Sequence, residues 1–406
     1  MTTVASSGES VRIGDVRERN LAVVLRCVDD LGVASTAELI GSTGLVQSSI
    51  SKLRAQLVEK GMLQEVGIAP TGSRGRPATA VRLGGDWAAA VGVDITSEAI
   101  HVRVVTPSGE HLVARDTELG PGTPVRQAAA RMHRLVREAL ADCGALDRPV
   151  SLVVALPGLV SGGLVTVTSR DWRREPEALL WEHLPFDARA VRAVNDGAAA
   201  VTAEVRLGGR RHRSTLAIFL GSDGIGGGAF DHGALVSGFG GAAGAFGHTI
   251  VEPGGEQCFC GQRGCLERYA AVAAIARAAE LDPGPGASLE DVAAELARRA
   301  RAGDERTLGA LARARRYLER AMAQIGPILC PEQIVLTGNL VPLAPWLERA
   351  GSGEEPAQVP AAIWHRPVEG SRLGGRSVVL GAAEIARLAM LDAPLRWGPR
   401  RPSPLA

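Results

Sequence analysis

Lysine is nearly absent. Of the 45 basic residues only Lys52 and Lys60 are lysines, which reads as arginine-rich usage from GC-rich coding rather than as a functional signal. Net charge is lacking too: 45 basic against 44 acidic residues leave a formal +1. That excludes a generally basic nucleic-acid coat and leaves room only for a local basic face. No apolar run approaches the roughly 18 residues of a membrane span, and Met1 to Ser10 lacks the apolar core of a signal peptide. The expectation is a cytoplasmic protein with no membrane partner. Cysteines are few, and three of the six fall close together at Cys258, Cys260 and Cys265. In a reducing compartment such clustering favours metal over disulfide. Cys27, Cys143 and Cys330 stand alone and read as buried small apolar residues. No heptad or exposed apolar stripe declares a subunit interface.

What is present points to more than one core. A chain of 406 residues, 46% hydrophobic, calls for a small domain plus a larger two-lobed one. Leu21, Val24, Leu25, Val28 and Leu31 recur at helical spacing until Gly32. Ser35 with Glu38 fits a capping box for a short second helix, broken by Gly41 and Gly44. A third helix starts near Gln47, buries Ile50, Leu53 and Leu57, and stops at Gly61. Three short helices with a tight turn before the third make a helix-turn-helix. The outer face of the third carries Gln47, Ser48, Ser49, Ser51, Lys52 and Arg54, groups able to meet base edges and phosphates. Two strands, Met62 to Val66 and Thr79 to Leu83, flank a loop whose Arg74 and Arg76 make a slim cationic wing.

Beyond Gly85, strand meanders followed by alternating helices and strands occur twice without residue-level identity, indicating a duplicated α/β body with a cleft between halves. Its most specific signal is His248 with Cys258, Cys260 and Cys265. Three thiolates and one imidazole satisfy a tetrahedral Zn²⁺, and a closed four-ligand set leaves no place for an activated water, so the role is structural.

Thr43-Gly44-Leu45, Gly75-Arg76-Pro77 and the run from Gly247-His248 through Cys258-Phe259-Cys260-Gly261-Gln262-Arg263-Gly264-Cys265-Leu266-Glu267 resemble the repressor, open-reading-frame, kinase (ROK) family. The resemblance implies an N-terminal winged helix-turn-helix joined to an α/β actin-like, sugar-kinase-like body. It also implies zinc shaping the ligand-presenting loop, and a ligand site of Asn195, Asp196, His248 and Glu267. The expected divisions are 1–85 for the head, 86–206 and 207–393 for the lobes, the last helix packing back on the first lobe, and 394–406 as a disordered tail.

Two departures from the family pattern bear on activity. Where the family has Asp-x-Gly-x-Thr, this chain has Asp94-Ile95-Thr96-Ser97-Glu98, which sets a carboxylate where a phosphate needs donors. Asp196 matches the family's catalytic base but would be vestigial, and ATP is not expected. The run Gly224 to Gly228 resembles the second phosphate turn, preceded by Ser222 and Asp223. Where the family has Glu-x-Gly-His, this chain has Ala245-Phe246-Gly247-His248, losing one hydroxyl acceptor. The expected function is a DNA-binding transcriptional repressor responding to a sugar or sugar-derived effector, acting on double-stranded operator DNA as a homodimer or homotetramer. The alternative is a sugar kinase with an accessory DNA-binding head.

Overall fold

The computed structural model describes residues 13–67, 79–210, 215–221, 224–284, 286–348 and 367–397. The first helix, α1 (Ile13–Leu31), buries Leu21, Val24, Leu25 and Val28 on one stripe. It ends at Gly32, whose φ of +74° only glycine adopts without strain. After β1 (Val33–Ala34), α2 (Thr36–Thr43) opens on a complete capping box. Glu38 N–H donates to Ser35 Oγ, and the Ser35 N–H donates to Glu38 Oε2 at 2.8 Å. Gly41 lies inside α2 rather than ending it; Gly44 is the left-handed C-cap. Then α3 (Gln47–Glu59) buries Ile50, Leu53 and Leu57, as its spacing predicts. Strands β2 (Leu63–Val66) and β3 (Ala80–Leu83) complete a three-stranded sheet of order β1-β3-β2.

The rest is built on two five-stranded sheets of the same plan. The first joins β4 (Ala89–Ile95), β5 (Ala99–Val105) and β6 (His111–Glu118) as an antiparallel meander. Then α4 (Val125–Asp142) leads to β7 (Val150–Leu156), and β11 (Ala188–Asn195) follows, both parallel to β4, in the order β11-β7-β4-β5-β6. Between them, β8 (Leu159–Ser161), β9 (Leu164–Val167) and β10 (Trp172–Pro176) form a small sheet. After α5 (Asp196–Arg206), the second sheet repeats the plan. It has β12 (Thr215–Gly221), β13 (Ile225–Asp231) and β14 (Ala234–Leu235) antiparallel, with β15 (Gln333–Gly338) and β16 (Val368–Gly370) added in parallel. The duplication is one of topology.

Helices α6 (Glu267–Ala270), α7 (Val272–Ala278), α8 (Leu289–Arg301), α9 (Glu305–Leu329) and α10 (Ala344–Leu347) pack into one apolar cluster on the second sheet. The last helix, α11 (Ser377–Asp392), lies against both β4 and α5.

The core organisation departs from a bead-on-a-string picture. Leu21, Val24, Leu25, Ile50, Leu57, Val81 and Leu83 belong to the same buried cluster as Ala88, Val201, Val378, Ala386, Met390 and Leu391. The described residues of this N-terminal unit are therefore welded to the body by continuous apolar packing.

The tail from Pro394, expected to be disordered, is ordered at least to Trp397. Pro394 to Trp397 form a 3₁₀ turn, and Trp397 is buried, edge-on to Trp87 at 6.4 Å. A proline- and arginine-rich composition hid one aromatic anchor with a large apolar surface to bury. Cys330 corrects a second expectation: it is exposed, at the left-handed C-cap of α9, while Cys27 and Cys143 are half-buried. No helix among the described residues is long and apolar enough to cross a membrane.

Candidate functional site

A cavity of about 520 Å³ opens between the two sheets, and Asn195, Asp196, His248 and Glu267 all line it. Each is placed by a different element. Asn195 ends β11 and caps α5: its Oδ1 accepts from the Gly197 and Ala198 N–H groups at 2.8 and 3.3 Å, and its Nδ2 donates to the Gly158 carbonyl at 2.7 Å. Asp196, buried at the first helical position, accepts from the Gly197 N–H through Oδ1. Both residues thus serve the helix terminus, which favours negative charge and acceptors, while facing the cavity.

The expected glycine turn is a strand. Ile225 to Gly228 lie in β13, and a Cβ at Gly224 would stand 2.5 Å from Glu267 Oε2, so a side chain there would displace that carboxylate. The missing side chain lets the Glu267 carboxylate reach the cavity wall.

Cavity residues that sequence reading missed come from the small sheet and the 3₁₀ turn Thr168–Arg170 that follows β9. Leu159, Thr166, Thr168 and Ser169 line the opposite wall. Gly162 and Gly163, both at positive φ between β8 and β9, are a hairpin signal that would have found them. Arg170 anchors this wall: nearly fully buried, it donates from Nε to the Thr96 carbonyl at 2.7 Å. The Asp94 to Glu98 segment is not among the residues lining the cavity. Thr96 closes its own turn, its hydroxyl accepting from the Glu98 and Ala99 N–H groups at 3.2 and 3.0 Å.

Beside the cavity, His248, Cys258, Cys260 and Cys265 bring their donor atoms within 4.8 Å of one another. Cys258 Sγ lies 3.7 Å from His248 Nδ1, and Cys260 Sγ lies 3.6 Å from Cys265 Sγ. A tetrahedron with metal–sulfur bonds of about 2.3 Å has edges of about 3.8 Å; two of the donor pairs stand near that spacing, and the rest of the set, within 4.8 Å, needs only a small contraction to hold a zinc ion. Tight backbone bonds hold the loop, with the Cys258 N–H on the Gln262 carbonyl and the Gly264 N–H on that of Glu256. Burial pushes the Cys258 thiol well above its ordinary range, helped by the Glu267 carboxylate that accepts its proton at 2.9 Å. Burial also raises Cys265. For Cys260 burial acts upward as well, but hydrogen bonds from the Gln262 backbone and the neighbouring thiols carry it down. Glu267 therefore connects the two sites: it touches the cysteine cluster and lines the cavity.

In the N-terminal unit, Gln47, Ser48, Ser51 and Lys52 are exposed along α3 and Ser49 is half-buried. Arg54 differs. Its guanidinium is turned inward, donating to Thr36 Oγ1 at 3.0 Å and Glu65 Oε1 at 2.6 Å, so it braces α3 against α2 and β2. Arg74 and Arg76 lie outside the described residues, as do Ser222 and Asp223.

Residues 90–388 match the ROK family. The glucokinase of Thermotoga maritima is 33% identical over 194 residues, covering 46% of this chain and 58% of that enzyme. The DNA-binding transcriptional dual regulator NagC of Escherichia coli is 26% identical over 399 residues, 95% of this chain and 97% of that one. Among solved structures, a ROK family transcriptional regulator described as a homolog of E. coli MLC protein superposes with a TM-score of 0.74 at 22% identity, covering 94% of this chain and 99% of that one.

Proposed function

We propose that this chain, which belongs to the ROK family and has its actin-like, sugar-kinase-type fold, is a DNA-binding transcriptional repressor responding to a sugar or sugar-derived effector. The likeness to NagC carries this reading, because it runs through the N-terminal unit as well as the body, whereas the glucokinase match spans under half of the chain. Helices α1 to α3 with the small sheet act as a winged helix-turn-helix. In it α3 enters the major groove with Gln47, Ser48, Ser51 and Lys52 outermost, and the β2–β3 connection supplies Arg74 and Arg76 to phosphates. Two-fold pairing of bodies sets two heads over half-sites about one DNA turn apart.

The cavity supplies hydroxyl acceptors. Asp196 and Glu267 hold a polyhydroxylated effector, helped by Asn195 and His248, and the apolar residues Leu159, Ile225 and Phe259 cover its carbon skeleton. Zinc held by His248, Cys258, Cys260 and Cys265 has a structural part, fixing the loop from which Glu267 projects.

A kinase with an accessory head is the second reading, favoured by the glucokinase likeness and by the buried Asp196 in the cleft. The self-closed Thr96 turn with Glu98 beside it speaks against it. Fluorescence anisotropy of the full-length chain against DNA from upstream of its own gene and a genomic fragment library tests the regulator. Saturable, salt-sensitive binding that is lost in K52E supports it. No specific fragment, together with phosphate transfer from ATP to a hexose, replaces it with the kinase.

A further inference from the structure

Arg206, the last residue of α5, reaches the N-terminal unit. Its Nη2 makes a very short bond to Asp29 Oδ2, its Nη1 lies 3.1 Å from Asp30 Oδ1, and its Nε lies 3.3 Å from Glu384 Oε1. Arg387 of α11, only 3% exposed, completes the cluster. It donates to both oxygens of Asp29 at 2.7 and 3.0 Å, and to both oxygens of Glu384 at 2.7 and 2.8 Å. Asp29 sits on α1, three residues before Gly32, and is itself 7% exposed. Three helices distant in sequence thus meet in a buried ionic joint at one carboxylate.

The other end of α5 is in the cleft. The helix starts at Asp196 in the cavity wall and runs 11 residues to Arg206, about 16 Å at the usual rise. Its first turn is wedged by backbone: a Cβ at Gly228 of β13 would lie 2.5 Å from the Gly197 carbonyl. An α-helix of three turns moves as a rod, and a guanidinium fork serving three carboxylates tolerates little displacement before one of its bonds breaks and the Asp29 and Glu384 carboxylates are left to Arg387 alone. To that non-directional apolar packing the joint adds directional bonds that tie the position of α1 to that of α5.

We infer that Arg206 is the positioning residue through which the cleft sets the seat of α1, and with it the orientation of the N-terminal unit. Its functional weight rests on reading that unit as a DNA-binding head, but the joint is tested without DNA or effector, so the two fail separately.

The test is amide hydrogen exchange, read by mass spectrometry, on the full-length zinc-loaded chain, its G228A and R206K variants, and the double variant. G228A pushes on the first turn of α5 at the cleft. R206K keeps the charge but not the fork. The expected result is that G228A speeds exchange in residues 13–31 by about tenfold, that R206K abolishes this increment, and that the effect of G228A on residues 196–206 persists in both backgrounds. Equal increments in residues 13–31 with and without R206K, or no increment from G228A there at all, overturn the inference. Should G228A fail to fold, D196N, which changes the same turn without added bulk, takes its place under the same criteria.

Discussion

Gly381 of α11 lies beneath the backbone of Ala199 in α5, so close that a Cβ at 381 would stand 1.7 Å from the Ala199 carbonyl oxygen. The crossing sets the distance between the helix that lines the cleft and the one that carries Arg387. Because the obstacle is backbone on both sides, no rotamer change relieves it. G381A is expected to destabilise the chain by about 3 kcal/mol or more, at the upper end of overpacking penalties. Urea denaturation compares it with an alanine-to-glycine control at the half-buried Ala389 of the same helix; an unchanged midpoint for G381A would show that the helices can part.

Removal of the metal is the next measurement. A chain purified with zinc should hold one ion per polypeptide by atomic emission. Stripping it with chelator, or replacing Cys258 by Ser, should lower Tm by roughly 5 °C or more, since binding energy at such a site is folding energy. The loss should extend to effector binding, because Glu267 sits against Cys258 at 2.9 Å. A chelated chain that keeps its Tm would remove the structural role.

The capping box at α2 has a pH signature. Hydrogen bonds from the Ser35 backbone and side chain hold Glu38 below the ordinary carboxylate value of 4.5. Its folded pKa is depressed, so its contribution is complete above the unfolded pKa and disappears as pH falls through the folded one. Loss of the Ser35 hydroxyl in S35A should cost about 1 kcal/mol at neutral pH. The difference from the wild type should shrink below pH 4.5 as Glu38 protonates in both. A constant difference across that range would assign the effect to the bond from the Glu38 backbone N–H to Ser35 Oγ alone and leave the carboxylate half of the box without weight.

Ligand charge follows from the cavity wall. Among the described residues it carries two carboxylates, Asp196 and Glu267, and no lysine or arginine. Neutral or amine-bearing sugars should therefore raise Tm more than their phosphorylated forms at equal concentration. Saturation at about 100 times Kd corresponds to about 2.7 kcal/mol. A 6-phosphate that stabilises more than the free sugar would refute the electrostatic argument.

Periodicity and local chemistry made much of this legible in advance. Ile50, Leu53 and Leu57 declare their helix by spacing, Ser35 and Glu38 their cap, and the three cysteines with His248 their common ion-sized space. Long-range relations were not legible. Arg54 reads as a phosphate-seeking cation until β2 places Glu65 beside it. Nothing local links Asp29 to Arg387, 358 residues away. Gly227 and Gly228 look like part of a turn because their need for closeness to Phe246 and to α5 exists only once the second sheet has formed. Trp397 was lost among prolines and arginines, since its value lies in the surface it finds on Trp87.

The welded core also has a consequence in time. The seat of α1 is made by residues 377–397, among the last described residues that a ribosome adds. During synthesis α1 emerges well before that seat, and Asp29 waits for Arg387 until 358 further residues have been added. A nascent chain therefore presents α1 without its final bearing, and termination before Ser377 leaves Asp29 without the Arg387 fork that holds it in the finished fold.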